Sequence, residues 1–136
     1  MASRFAICLL GTAAVIGSAC AGSPAAPSVL DGIWGGDHVT MSIAGATHVE
    51  LDCAHGDIPA PLAIDDQRQF NTTGTFVREH GGPIRDGEVP DTHPARYSGS
   101  VTGDRMQLTI RLTDTNETIG TFSLTRGAQG RVVKCL

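Results

Sequence analysis

Aromatic residues are scarce in this 136-residue chain: four Phe, one Trp and one Tyr. That excludes a core built from packed rings and leaves Val, Ile and Leu to fill a modest interior. Basic residues are few as well. Ten Lys and Arg against fourteen Asp and Glu give a formal charge of −4. With no basic stripe, a nucleic-acid partner is not expected. Past residue 20 no apolar run is long enough to span a bilayer as a helix, and no stretch holds a convincing helical period. The cysteines form no CxxC pair, which argues against redox catalysis and a cysteine zinc site. There is no HExxH and no G-x-S-x-G elbow, and Gly81-Gly82-Pro83 lacks the lysine and following helix of a phosphate loop.

What the chain does have begins at its start. Arg4 precedes an apolar run from Phe5 to Ile16, and Gly17, Ser18 and Ala19 are small. This pattern reads residues 1–19 as an export signal peptide. Residues 20–28 are small and Pro-rich, a flexible tether. Residues 29–136 then form a single domain. Gly17-Ser18-Ala19-Cys20 resembles a bacterial lipobox, which would put a lipid on Cys20 and make the protein a cell-envelope lipoprotein. The alternative is cleavage after Ala21, giving a soluble periplasmic or secreted protein. Either way the mature chain keeps one cysteine pair, Cys53 and Cys135. In an oxidising compartment that pair reads as a disulfide, with two buried free thiols as the alternative.

The domain reads as strands. Val39, Met41 and Ile43 alternate with polar neighbours, as do Val49, Leu51 and Cys53. Met106, Leu108, Ile110 and Leu112 do the same, and so do Phe122 and Leu124. Period two means one buried face and one wet face, as in antiparallel sheets. Trp34, Leu62–Ile64, Phe70–Val77, Tyr97–Val101 and Val132–Cys135 complete the expected strands. Thr102-Gly103-Asp104-Arg105 is a two-residue hairpin turn, and Gly45, Asp65–Gln67 and Asp114–Glu117 mark others. The expected fold is all-β: a small antiparallel up-and-down meander of roughly eight strands closed into a barrel, with a sandwich as the alternative. The segment from His80 to His93 has no periodicity and reads as a long functional loop, a lid or a disordered excursion.

Gly32-Ile33-Trp34 resembles the G-x-W start of calycin barrels such as lipocalins and avidins. The resemblance implies that Trp34 seals the barrel floor and that a basic residue, here Arg126, packs over it. Four segments, Trp34–His38, Leu51–Gly56, Phe76–Pro83 and Pro94–Tyr97, resemble a group of small exported bacterial proteins described only as hypothetical. That likeness implies export and supplies no activity.

The histidines are the remaining chemical pattern. By strand parity His55 shares a face with Leu51 and Cys53, His80 with Phe76 and Arg78, and His93 with Ala95 and Tyr97. His38 shares parity with Trp34 unless a bulge at Gly35-Gly36 reorients it. His48 has outward parity and reads as solvated. Imidazoles of inward parity at strand ends would point into a barrel mouth, where they could bind zinc or copper. The plainer reading is a set of polar rim residues. Arg78, Glu79 and Asp91 lie beside the same loop and could orient such ligands or form surface ion pairs. The expected role is binding of a small ligand or metal ion by an exported barrel, with membrane contact only through a lipid on Cys20. A structural or interaction protein of the envelope is the alternative, and a weak hydrolase the third reading.

Overall fold

The computed structural model describes residues 22–23 and 26–136. Residues 1–19, read as a signal peptide, and Cys20, read as a lipid attachment point, lie outside these residues. Ten strands follow in chain order: β1 Ser28–Val29, β2 Gly32–Gly36, β3 Val39–Ala44, β4 Ala46–Leu51, β5 Ala54–Ile58, β6 Ala63–Ile64, β7 Gln69–Arg78, β8 Asp91–Thr102, β9 Arg105–Leu112 and β10 Thr118–Arg126. Eight of them close an antiparallel barrel in the order β10-β2-β3-β4-β5-β7-β8-β9. Each strand pairs with the next barrel strand in sequence, so the meander read from alternation is the fold, closed rather than split into a sandwich.

Two ends of the barrel follow from the up-and-down course. One end carries the turns β2–β3, β4–β5, the long β7–β8 loop and β9–β10. The other carries β3–β4, β8–β9 and the β5–β7 connection. At this second end β1 pairs with β6, outside the barrel sheet, and the Leu30 N–H donates to Leu62 O at 2.8 Å. Leu30, Leu62 and Ile64 are buried there and join the core, so this end is capped. Leu62–Ile64, read as an ordinary strand, is thus part of a small cap. Ser28, read as tether, is its first paired residue.

The interior is filled by side chains of inward parity. Trp34, Met41, Val49, Tyr97, Met106, Leu108, Ile110, Leu112 and Leu124 are all fully buried. Trp34 Nε1–H donates to Asp31 O at 3.0 Å, and the Arg126 guanidinium lies 5.7 Å from the Trp34 ring centroid while pairing with Asp31. Burial removes apolar area from water at roughly 25 cal/mol per Å², the main drive for closing the barrel.

The C-terminal segment departs from expectation. Val132–Cys135 is not a strand, and Val133 is 69% exposed. After β10 the chain crosses outside β2 as a strap. It lies so close that a Cβ on Gly35 would fall 2.4 Å from Ala128 O. Arg131 then bridges to Asp37, and the strap continues around the loop-bearing end. It is pinned there by the Cys53–Cys135 disulfide, with a Cα–Cα distance of 5.0 Å. Cys53 is not in a strand either. It sits in the two-residue turn between the paired residues Leu51 and Ala54, with φ 50°.

Candidate functional site

The loop-bearing end gathers the candidate residues. His38 occupies the β2–β3 turn, exposed, with φ 67°, and its Nδ1 bonds Asp52 Oδ2 at 2.5 Å. It is neither inward nor on a bulged strand. Asp52 also accepts the Val133 N–H at 2.7 Å, and these two bonds, the backbone one first, hold its carboxyl below the usual range.

His55 is a correction. The Asp52–Cys53 turn resets strand parity, so Ala54, Gly56 and Ile58 face inward and His55 faces out beside its partner Glu50. On that outer face His48 Nδ1 meets Asp57 at 2.7 Å and Nε2 meets Glu50 at 2.7 Å, so His48 is held rather than merely solvated. His55 Nδ1 bonds Glu79 at 2.7 Å. Among the described residues no partner meets its Nε2. Lys134, from the strap, reaches Glu50 and Glu79 and donates to Ala54 O at 3.0 Å. Burial opposes the ammonium charge, but the two carboxylates outweigh it and raise the Lys134 value.

At the mouth, Arg78, Asp91 and His93 have inward parity. Arg78 Nη2 donates to Glu117 at 2.7 Å, and its Nη1 lies 3.9 Å from Asp91. His93 keeps 16% of its side-chain surface exposed and lies between Asp114 at 2.8 Å and Asp91 at 3.0 Å. These charged groups stand above Phe76 and Ala95, which are buried.

The β7–β8 loop, residues 79–90, builds the concave surface. His80 stands at its start, exposed; its Nδ1 lies 2.9 Å from Gly81 O and its Nε2 meets the Glu88 carboxylate. Glu88 also accepts the Arg85 N–H at 3.0 Å. One cleft of about 390 Å³ lies between this loop and the outer ends of β5 and β7. His55, Val77, Arg78, His80, Ile84 and Val89 are among its lining residues. A second hollow of about 530 Å³ is formed within the loop, around Pro83, Arg85 and Glu88. Ile84 and Val89 are 84% and 86% exposed. A concave site with an apolar wall and a few polar groups can hold a small molecule.

All four candidate histidines therefore stand at one end of the barrel, with Arg78, Glu79 and Asp91 among them. Each of the four holds at least one carboxylate through a ring nitrogen, and among the described residues no three His, Cys, Asp or Glu side chains group as a metal set. Val77, Ile84 and Val89, the apolar wall, were not legible as a site. Ile84 and Val89 sit in an aperiodic loop, and Val77 has outward parity. No protein family, curated protein or solved structure matches this chain.

Proposed function

We propose that this chain is an exported small-molecule-binding protein, with the barrel as scaffold and the cleft under the 79–90 loop as the site. The division of space carries this reading. The interior is taken up by fully buried side chains, while the cleft combines the apolar wall of Val77, Ile84, Val89 and Pro90 with the polar groups of His55 and Arg78. The ligand that fits is small and mainly apolar, with one hydrogen-bond donor for His55 Nε2. The disulfide supports an oxidising compartment. Residues 1–19 carry the export reading, and a lipid on Cys20 would hold the protein at the envelope. Trp34 buried beneath Arg126 supports a likeness to calycin barrels.

A second reading, an interaction protein of the envelope, is favoured by one observation. Ile84, Val89, Val133 and Leu136 are exposed apolar residues on the loop and strap of the same end. Anilinonaphthalene sulfonate, an apolar fluorescent probe, tests whether this apolar wall takes up a small molecule. The dye should brighten on binding, and Ile84→Ser with Val89→Ser should reduce that several-fold while circular dichroism stays unchanged. Equal brightening in the double variant, or none in the parent, would sink the small-molecule reading. Native mass spectrometry of the exported protein would then identify a retained ligand.

A further inference from the structure

Three histidines have both ring nitrogens turned to oxygens that have no proton to give. His48 faces Asp57 and Glu50, His80 faces Gly81 O and Glu88, and His93 faces Asp114 and Asp91. A neutral imidazole has one donor nitrogen and one acceptor. Its acceptor would set a lone pair against another lone pair in each of these places. Only the imidazolium satisfies both contacts. Each loop-side histidine faces at least one carboxyl that holds its charge. Glu88 is held below its ordinary range, chiefly by the Arg85 N–H, and Asp114 chiefly by His93.

Two of the three act at the loop, His80 within it and His93 just past its far foot, where β8 begins. His80 and Glu88 tie its two limbs together. His93 follows the loop's far foot and holds both Asp91 and Asp114 of the β9–β10 turn. The charged groups around them are these. His55 of β5, Arg78 and Glu79 beside β7, and Asp91 of β8 line the cleft with His80; Arg85 and Asp86 are carried by the loop itself. Arg78, permanently charged, pairs with Glu117 and stands 3.9 Å from Asp91. Glu79 is taken by His55 and Lys134.

We propose that the 79–90 loop is a proton-controlled cover for the cleft, latched by His80 and His93 as imidazolium and released when they deprotonate. As regulation of that site it rests on the ligand-binding reading, but the latch itself can be measured with no ligand present. Both imidazoles are raised above the ordinary value, His80 chiefly by Gly81 O and His93 chiefly by Asp114. The sign follows. The latch is fully formed below about pH 6.5 and is lost as pH rises through the raised values.

Amide hydrogen exchange on the mature, disulfide-bonded chain tests this at about pH 5.5 and about pH 8.5, on either side of the imidazole range. Rates are corrected for the pH dependence of free-amide exchange. The Arg85, Glu88 and Thr92 amides bond Glu88, Arg85 O and Pro90 O, respectively. They should be protected several-fold more at the acid pH, while Leu108 in β9 stays constant. His80→Gln with His93→Gln should make the loop response flat. His80→Gln alone, in the exposed loop, should reduce it if the double variant fails to fold. Equal loop protection at both pH values in the parent, or a response kept in both variants, would overturn the latch. A pH-responsive loop with no dye bound would support the latch and overturn its role in ligand control. A flat loop with dye bound would overturn the latch alone.

Discussion

Tyr97 is the chain's single tyrosine, and it stands inside the barrel. Its hydroxyl donates to Thr75 O at 2.6 Å, and burial pushes the phenol well above its ordinary range. The room for it comes from Gly56, where a Cβ would fall 1.9 Å from the hydroxyl oxygen and 2.7 Å from Thr75 O. Tyr97→Phe should therefore cost only about 1 kcal/mol, the net worth of one hydrogen bond. Gly56→Ala should cost more, about 1 to 3 kcal/mol, because the ring or the strand must move. Urea denaturation of the two variants checks the order; a milder Gly56→Ala would contradict the packing described. Parity predicted the inward course of Tyr97 and His93 from sequence, because both lie within one uninterrupted strand. It failed at His55, because a two-residue turn restarts the count. The partners of His48 were not legible, since Asp57 lies across a strand boundary whose register the sequence leaves open.

The strap is the element with the most concentrated fastening. Within a few residues it supplies Arg131 to Asp37, the Val133 amide to Asp52, Lys134 to Glu50 and Glu79, and Cys135 to Cys53. Cys53→Ser with Cys135→Ser removes a bridge across a sequence separation of 82 residues. The loss should approach about 4 to 5 kcal/mol by loop-closure entropy. The barrel should still close, since β10 reaches β2 before the strap begins. Denaturant melts and retained strand circular dichroism check this; loss of all β signal would show that the strap, and not β10, completes the sheet. The single cysteine pair left in a chain read as exported signalled the disulfide. The strap's path was not legible. Val132–Cys135 alternates too briefly to distinguish a strand from an irregular segment fastened to Asp52, Glu79 and Cys53 at the loop-bearing end. The 79–90 loop was visible as missing periodicity, but nothing local in it marks the cleft it roofs.

Across the whole molecule, opposite titrations confine stability to a window. His48, His80 and His93 are raised, so what they contribute is complete below about pH 6.5 and fades as pH climbs through their folded values. Glu50, Asp52, Glu79, Glu88 and Asp114 are lowered, so their contribution is complete above roughly pH 4.5 and fades on acidification. The denaturation midpoint should peak between these limits and fall toward about pH 8.5; a profile flat across that range would refute the pairing. Trp34, fully buried, should emit at short wavelength and resist aqueous quenchers until the barrel opens as a unit. The barrel itself was legible because alternation and turn signals agree along most of the chain. The chain enters through β1 at the capped end and leaves its last residues beside Gly81 at the other. Attachment is therefore polar. A bead or bilayer that grips the residues before Ser28 meets the cap and turns the cleft toward bulk solvent, whereas a fusion grafted after Leu136 would shadow it.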